Sequence, residues 1–437
     1  MSQKILKFLA KGSAISHPRT VGLVILDMQP GGAERQAFLL AQALSQRGGV
    51  EVRLFALRHQ AKNLASSSIG AEFPDVPATI CGPRAARQVF QRGEILKRAR
   101  RRIAPGGLEK SGGVPGQSKS KVNVQPNVGG SGDRTEATPG PLALFKAKPS
   151  LLLSWWGLYR AIRKHSVDAL IAYTPLCGAV AVAVAGKKDI PVVVSERNDL
   201  ESQPATAMVR DLRSTFYPHA TLLTANTEFA CRQLQEMFPS KDVMWLPNET
   251  HYRESFAIAS RVNYKKVVVL SRLAPQKRID NVIRAFADQK IQQHGIELDI
   301  YGDGPERENL ERLVEDLGLR SRIIFHGYVP VAQFHDNNER PAFIIVNSLY
   351  EGSSNALHEA VSQGLLPVVA DTVRELHDVL SDDDLSLVTT NGSAEDIATR
   401  LEKFVVDQDY ANSTREKVAR GFSSYWARVN RQLSATR

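Results

Sequence analysis

Val21–Leu26 (VGLVIL) is an unbroken apolar run that ends at Asp27. A run this short, closed by turn residues, predicts a buried strand. A Pro-Gly-Gly turn follows. From Ala33 to Arg47 the apolar residues Ala37, Leu39, Leu40, Ala43 and Leu44 then recur with the helical period, and Val50–Leu57 predicts a second strand. Strand, glycine turn, helix, strand is the opening of a βαβ unit.

The alternation resumes at Leu151–Arg163 (helix), Ala169–Tyr173 (strand), Gly178–Ala185 (small-residue helix), Pro191–Ser195 (strand), Thr221–Ala225 (strand), a helix to Phe238 and Val243–Leu246 (strand). A second series predicts strands at Val267–Ser271, Leu298–Tyr301, Ile323–His326, Ala342–Asn347, Leu366–Ala370 and Leu385–Val388. Its helices fall at Ile279–Ala287, Glu306–Leu317, Ser354–Ser362 and Glu395–Phe404. Two such series predict an α/β protein of two doubly wound parallel sheets, joined near 248–265. We take 1–255 and 256–419 as the two domains. Ligands of such sheets sit at the carboxyl ends of the strands, here in the cleft between the domains.

Composition changes this picture in three places. The chain has 437 residues and 43% apolar content, enough for two cores. Residues 104–149 are rich in Gly, Pro and Ser and poor in large apolar side chains, which predicts a disordered insertion. The net charge of +10 is uneven: 84–102 holds eight Arg/Lys and one Glu, with Val89, Phe90, Ile95 and Leu96 interleaved. That stretch reads as a solvated amphipathic helix or as a contact for an anionic membrane surface. A nucleic-acid partner is not expected, because no base-reading motif accompanies the charge. Trp155, Trp156, Leu158 and Tyr159 on one helix read as core, with a membrane-touching face as the alternative. Cys81, Cys177 and Cys231 are scattered, which suggests a reducing compartment. With no convincing signal peptide and no 18-residue apolar span, the expected location is cytoplasmic, either soluble or peripheral on the inner face of a membrane.

The candidate chemistry lies at the predicted strand ends. Arg272 and Lys277 flank a helix start and suit a diphosphate, or are solvated loop cations. Gly302 and Gly304 permit a tight turn or a close approach to a ligand. His326, in Phe325-His326-Gly327, stands in a loop that can face a nucleobase or be structural. Ser353 or Ser354 can cap the helix through Ser362. The amides of Ser354, Asn355, Ala356 and Leu357 would then hold an anion. Glu351 precedes that helix and Glu359 lies inside it. They are too far apart for an i, i+4 pair and would flank one elongated ligand. A nucleotide sugar has that shape.

The order GGAER, ANTEF, WLPN, SRLAPQKRID, DIYGDGPERE, IIFHGY and EGSSNALHEAVSQGLLPVVA resembles the retaining glycosyltransferases of family 4, which have the GT-B fold. The likeness spans nearly the whole chain outside 104–149. It implies two Rossmann-like domains, with the final stretch (420–437) crossing back onto the first. It implies Arg272 and Lys277 on the donor diphosphate, Glu359 on the ribose and Glu351 beside the donor sugar. It also implies the backbone from Ser353 to Leu357 at sugar and phosphate, and Gly31 and Gly32 facing donor and acceptor. The reaction implied is hexosyl or N-acetylhexosaminyl transfer from a nucleotide sugar, UDP before GDP, to a glycan or polyprenyl-linked acceptor in surface-glycan synthesis. With no DxD placed for a metal, no metal and no separate cofactor are expected.

The sequence departs from the family on the acceptor side. Many relatives carry a histidine after the strand matching Val192–Val194, where this chain reads Ser195-Glu196-Arg197-Asn198-Asp199. Glu196 then stands as base or hydrogen-bond acceptor, Arg197 as partner of an acceptor phosphate, or both as a structural ion pair. The alternatives to a transferase are a nucleotide-sugar epimerase of the same fold and a catalytically silent binding protein.

Overall fold

A computed structural model describes residues 18–27, 32–48, 50–58, 76–81, 138–201, 205–248, 262–329 and 340–434, together with Ile5. The predicted basic helix at 84–102, Gly31 and the proposed boundary at 255/256 lie outside these residues. The first half runs β1 (Thr20–Ile25), α1 (Gly32–Gly48), β2 (Glu51–Ala56), β3 (Ala78–Ile80), α2 (Pro141–Ala147), α3 (Leu151–His165), β4 (Ala169–Tyr173), α4 (Pro175–Ala185), β5 (Val192–Glu196), α5 (Ala207–Phe216), β6 (Leu222–Ala225), α6 (Glu228–Met237) and β7 (Val243–Trp245). These strands form a parallel sheet in the order β3-β2-β1-β4-β5-β6-β7.

The second half runs β8 (Asn263–Leu270), α7 (Ile279–Ala285), α8 (Gln289–Gln292), β9 (Glu297–Tyr301), α9 (Arg307–Asp316), β10 (Ile323–Gly327), β11 (Pro341–Val346), α10 (Asn355–Ser362), β12 (Leu366–Ala370), α11 (Leu376–Val379), α12 (Asp382–Val388), β13 (Thr389–Thr390), α13 (Ala394–Val406) and α14 (Gln408–Ser434). Its sheet order is β10-β9-β8-β11-β12-β13, again parallel. Each sheet starts near its middle and winds outward both ways, which is the doubly wound arrangement.

Burial explains why the apolar runs form central strands. Every residue of β1, β4, β5, β6, β11 and β12 is buried, as a sheet covered by helices on both faces requires. The period of two sends alternate residues to opposite cores: Val24 and Phe55 pack on one face of the first sheet, Leu23, Ile25 and Leu54 on the other. The edge strand β10 instead keeps Ile324 and His326 exposed. Helix α4 is buried almost all round, and a β-carbon at Gly178 would stand 2.6 Å from Val194.

Two expectations need correction. Leu385–Val388 belongs to helix α12. The sequence Ser381-Asp382-Asp383-Asp384 decides this: Ser381 caps the Asp384 amide and three carboxylates complement the helix dipole. The predicted 104–149 insertion also contains a helix, since 141–147 is α2, begun by Pro141 and packed through buried Leu144.

Helix α14 lays Ala411, Val418, Phe422, Tyr425 and Val429 into the core of the second half. Near its end it meets the first half, with Tyr425 edge-on to Trp245 at 5.6 Å and Arg428 3.3 Å from Glu228.

Candidate functional site

The turns after β8 and β11 are fixed to each other before any ligand enters. The Leu349 amide donates to the Gln276 carbonyl at 2.8 Å, and Arg278, in left-handed conformation at φ 47°, donates to the Asn347 carbonyl at 2.9 Å. This seating places Lys277 Nζ 2.5 Å from Glu351 Oε2, with both side chains about one-sixth exposed. Arg272 is exposed at the end of β8, so its cation is hydrated.

Helix α10 starts as expected, with Ser354 as N-cap accepting from the Leu357 amide at 3.4 Å. The anion site is smaller than the sequence implied, because Glu375 already occupies part of it. The Ser354 amide donates to Glu375 Oε2 at 2.8 Å, and the Ser353 hydroxyl donates to Oε1. The other first-turn amides are those of Asn355 and Ala356. Glu375 is 1% exposed, and His358 Nε2 lies 2.6 Å from its Oε1. Behind His358, the Trp426 indole donates to Nδ1 at 3.3 Å. An indole nitrogen only donates, so Nδ1 accepts and Nε2 carries the proton that Glu375 receives. A buried chain thus runs from α14 through His358 and Glu375 to the loop carrying Glu351. Sequence reasoning missed Glu375 and His358; His358, within the α10 motif, was the available signal.

The halves meet directly here. Arg35 Nη1 of α1 lies 2.9 Å from Glu359 Oε1 of α10. Asn355 Oδ1 accepts from Gln36 Nε2 at 3.1 Å and from Asn248 Nδ2 at 2.7 Å, and Asn248 Nδ2 also reaches the Ser353 carbonyl at 3.2 Å. Asn355 therefore contributes its side chain as a bridge besides its amide. Gly352 touches the carbonyl of Arg197 in the first half, and a β-carbon at that position would collide with it. Gly32 is less constrained, since a β-carbon there would stand 3.8 Å from Asn355 Nδ2, an ordinary contact.

Glu34 in the first turn of α1 is a further residue the sequence reading passed over, although it lies in the GGAER motif. Burial pushes its carboxyl up to about 7; the Asp27 charge adds to the rise, while its own backbone amide and Arg272 oppose it. Glu34 of the first half and Arg272 of the second thus lie within electrostatic reach of each other.

Gly302 and Gly304 have a structural explanation. Gly302 has φ 139°, and β-carbons at the two positions would collide with the carbonyls of Ser271 and Leu273. Glycine is needed there for one loop to pack on another. His326 pairs with Asp299 at 2.7 Å and stacks on Tyr301 at 4.4 Å, which fixes its ring at the rim of the sheet.

On the acceptor side the two candidates separate. Glu196 accepts from Arg213 Nε at 2.7 Å and from the Tyr217 hydroxyl at 2.5 Å, and its side chain is 2% exposed. Burial, then the Glu196 charge, pushes the Tyr217 hydroxyl well above its ordinary range. Glu196 is therefore sealed inside an ion pair, the structural one of the alternatives open for this residue, with Arg213 as its partner rather than Arg197. Arg197 points the other way. Its guanidinium donates to the Leu246 carbonyl, the Ser195 hydroxyl and Asn248 Oδ1, and lies 5.1 Å from the Tyr173 ring centroid. All three acceptors are uncharged, and among the described residues no carboxylate pairs with it. Burial pushes its pKa down. A buried cation without a counter-charge, one hydrogen bond from Asn248 at the cleft, favours an anion nearby. Among the described residues no group of His, Cys, Asp or Glu is arranged to hold a metal ion.

Two doubly wound parallel sheets meeting at this cleft define the GT-B fold class. Residues 31–249, half of the chain, match the family model described as a glycosyl transferase 4-like domain, and residues 251–420 match glycosyl transferases group 1. The chain belongs to this glycosyltransferase family. It is 26% identical over 275 residues to an exopolysaccharide phosphotransferase of Streptomyces coelicolor, covering 62% of this chain and 28% of that protein. It is 24% identical over 231 residues to the lipopolysaccharide core biosynthesis glycosyltransferase LpsE of Rhizobium meliloti, covering 50% of this chain and 63% of the relative. The chain thus spans between about a quarter and just under two thirds of these relatives. Among solved structures, Staphylococcus aureus TarM superposes with a TM-score of 0.64 at 12% identity, covering 95% of this chain and 99% of TarM. Anabaena HepE, solved with UDP-glucose, superposes with a TM-score of 0.64 at 15% identity, covering 96% of this chain and 99% of HepE. These likenesses define the GT-B fold.

Proposed function

We propose that this protein transfers a hexosyl or N-acetylhexosaminyl group from a nucleotide sugar, UDP before GDP, to a glycan or lipid-linked acceptor, with retention of configuration and without a metal. One observation carries the reading. Lys277 is paired with Glu351 in the loop that leads into α10, Glu359 lies within that helix against Arg35 of the first half, and Arg272 stands exposed at the end of β8. Breaking the anomeric C–O bond leaves negative charge on the diphosphate. Fixed cations and amides aimed at that charge are the largest stabilisation available. The lysine of the Lys277–Glu351 pair supplies it, while Glu351 binds the donor sugar. Glu359, released from Arg35 or shared with it, grips the ribose diol. Arg197 offers its uncompensated charge to an anionic acceptor group.

Glu34 favours a second reading, an epimerase of the same fold, because it is a carboxyl in the first half whose pKa of about 7 suits proton transfer. Incubation with a UDP-sugar separates the two. Release of UDP only when acceptor is added supports transfer; an epimerised sugar or UDP without acceptor supports the second reading. Absence of both reactions across UDP- and GDP-sugars would overturn both.

A further inference from the structure

The first half carries a surface that the cleft does not use. Of the large apolar side chains that are exposed among the described residues, four fall within 142–156: Leu142 (75%), Phe145 (47%), Leu153 (55%) and Trp156 (53%). They lie on α2 and α3, which are joined by a tight turn at 148–150 and pack against each other. Leu142 and Phe145 are three apart on α2, opposite buried Leu144. On α3, Leu153, Trp156, Arg160 and then Arg163 with Lys164 form one outward stripe, opposite buried Leu151, Ser154, Leu158 and Ile162. Trp155 is different: its indole donates to the Ala183 carbonyl at 3.1 Å and its ring stacks on Tyr159 at 5.4 Å. The two adjacent tryptophans thus do different work, one holding the helix down and one facing outward.

Charge identifies the partner. From Thr138 to Val167 there are five Lys/Arg residues and no Asp or Glu. The Arg160 guanidinium lies 4.5 Å from the Trp156 ring centroid, which sets a cation beside the apolar ring. An apolar strip with a wholly basic flank is the pattern of an interfacial helix on anionic lipid. Neither helix crosses a bilayer, since no described helix is long and apolar enough. A second protein copy fits less well. Two helices of seven and 15 residues, about 10 Å and about 22 Å long, present at most about 400 Å² between them. A stable interface needs roughly 800 Å² per partner.

We infer that the α2–α3 hairpin docks the protein on an anionic membrane surface, inserting Leu142, Phe145, Leu153 and Trp156 while Arg160, Arg163 and Lys164 meet the headgroups. The orientation follows from the topology. Ser154 of α3 donates to the carbonyl of Leu57, just past the end of β2, and Gly157 packs on the carbonyl of Cys81, just past β3. The apolar end of the hairpin therefore stands at the carboxyl edge of the sheet, the edge that borders the cleft. A protein docked this way holds its cleft rim at the bilayer, within reach of an acceptor anchored there.

Flotation of the full chain with phosphatidylcholine vesicles, with and without 30 mol% phosphatidylglycerol, tests this directly, the lipid fraction being chosen to bring the charge near that of an anionic leaflet. The protein should float with the anionic vesicles and largely fail to float with the neutral ones. The double variant Phe145→Ser/Trp156→Ser should bind at least about tenfold more weakly while keeping its melting temperature, since both side chains are exposed. The triple variant Arg160→Gln/Arg163→Gln/Lys164→Gln should lose the preference for phosphatidylglycerol. If the double variant melts early, Leu142→Ser/Leu153→Ser replaces it with the same expected loss. Three results overturn the proposal: no flotation at low salt, undiminished flotation of the apolar variants (which would assign binding to the basic 84–102 stretch), or a self-associated species that the apolar variants dissolve.

Discussion

Two carboxylate–cation pairs stand at the carboxyl ends of central strands, one in each half, and they have opposite fates. Glu196 and Arg213 are 2% and 3% exposed, with Tyr217 completing the carboxylate's coordination. Glu351 and Lys277 are 17% and 16% exposed and open to the cleft. The chemistry is the same and the geometry similar. The difference lies in access. A sealed pair is a structural element, costly to break because the surviving charge stays buried. A half-open pair is held in place yet can exchange its partner for a ligand, which a binding site requires.

The comparison breaks most decisively through the open pair and its neighbour. Arg272→Ala/Lys277→Ala should lower turnover by about 10³-fold or more, with the melting temperature nearly unchanged, since one electrostatic donor at a reacting centre is commonly worth 10²–10³. Steady-state kinetics with a UDP-sugar and differential scanning calorimetry read both quantities; near-normal turnover would remove these cations from the mechanism. The sealed pair should behave in reverse. Glu196→Gln should destabilise the first half by about 3–5 kcal/mol, seen as an earlier thermal transition, while the folded fraction keeps its kcat. A Glu196→Gln enzyme that melts normally but has lost turnover would show that burial does not separate the two pairs.

The smallest effect concerns Glu34. Its carboxyl is held at about 7 in the folded protein against an ordinary value of 4.5. Between those values the folded state binds more protons than the unfolded state, so this group's contribution to stability falls as pH rises from about 4.5 to about 7 and is level above. Glu34→Gln should remove that slope, so that its melting temperature gains on the native chain as pH rises through the window. Parallel melting profiles for the two proteins would mean that Glu34 is not held protonated by the cleft.

Much of this arrangement was legible because it is local. The apolar runs at Val21–Leu26 and Ala342–Asn347 predicted the buried parallel strands β1 and β11, and the Ser353-Ser354 pair predicted a serine cap for the helix through Ser362, which Ser354 supplies. The misreading at Leu385–Val388 came from weighing four apolar-rich residues above the Ser-Asp-Asp-Asp start signal immediately before them. Glu375 was not legible. It stands 21 residues beyond Ser354 and 17 beyond His358, and the packing of both α10 and α11 on α14 brings them together. The Arg35–Glu359 and Asn248–Asn355 contacts span 324 and 107 positions, and no local pattern encodes either.

By itself the sequence determined most of the elements, their grouping into two parallel sheets and which polar residues stand at the strand ends, because periodicity, caps and glycine turns act within a few residues. Only the tertiary structure decided which charges are enclosed and which face the cleft, that Glu375 takes part of the helix start, and that Trp156 rather than Trp155 points outward. Burial is the reason. It is set by what lands on a residue from elsewhere in the chain, and it decides whether a carboxylate, a cation or an aromatic ring serves the fold or remains available to a partner.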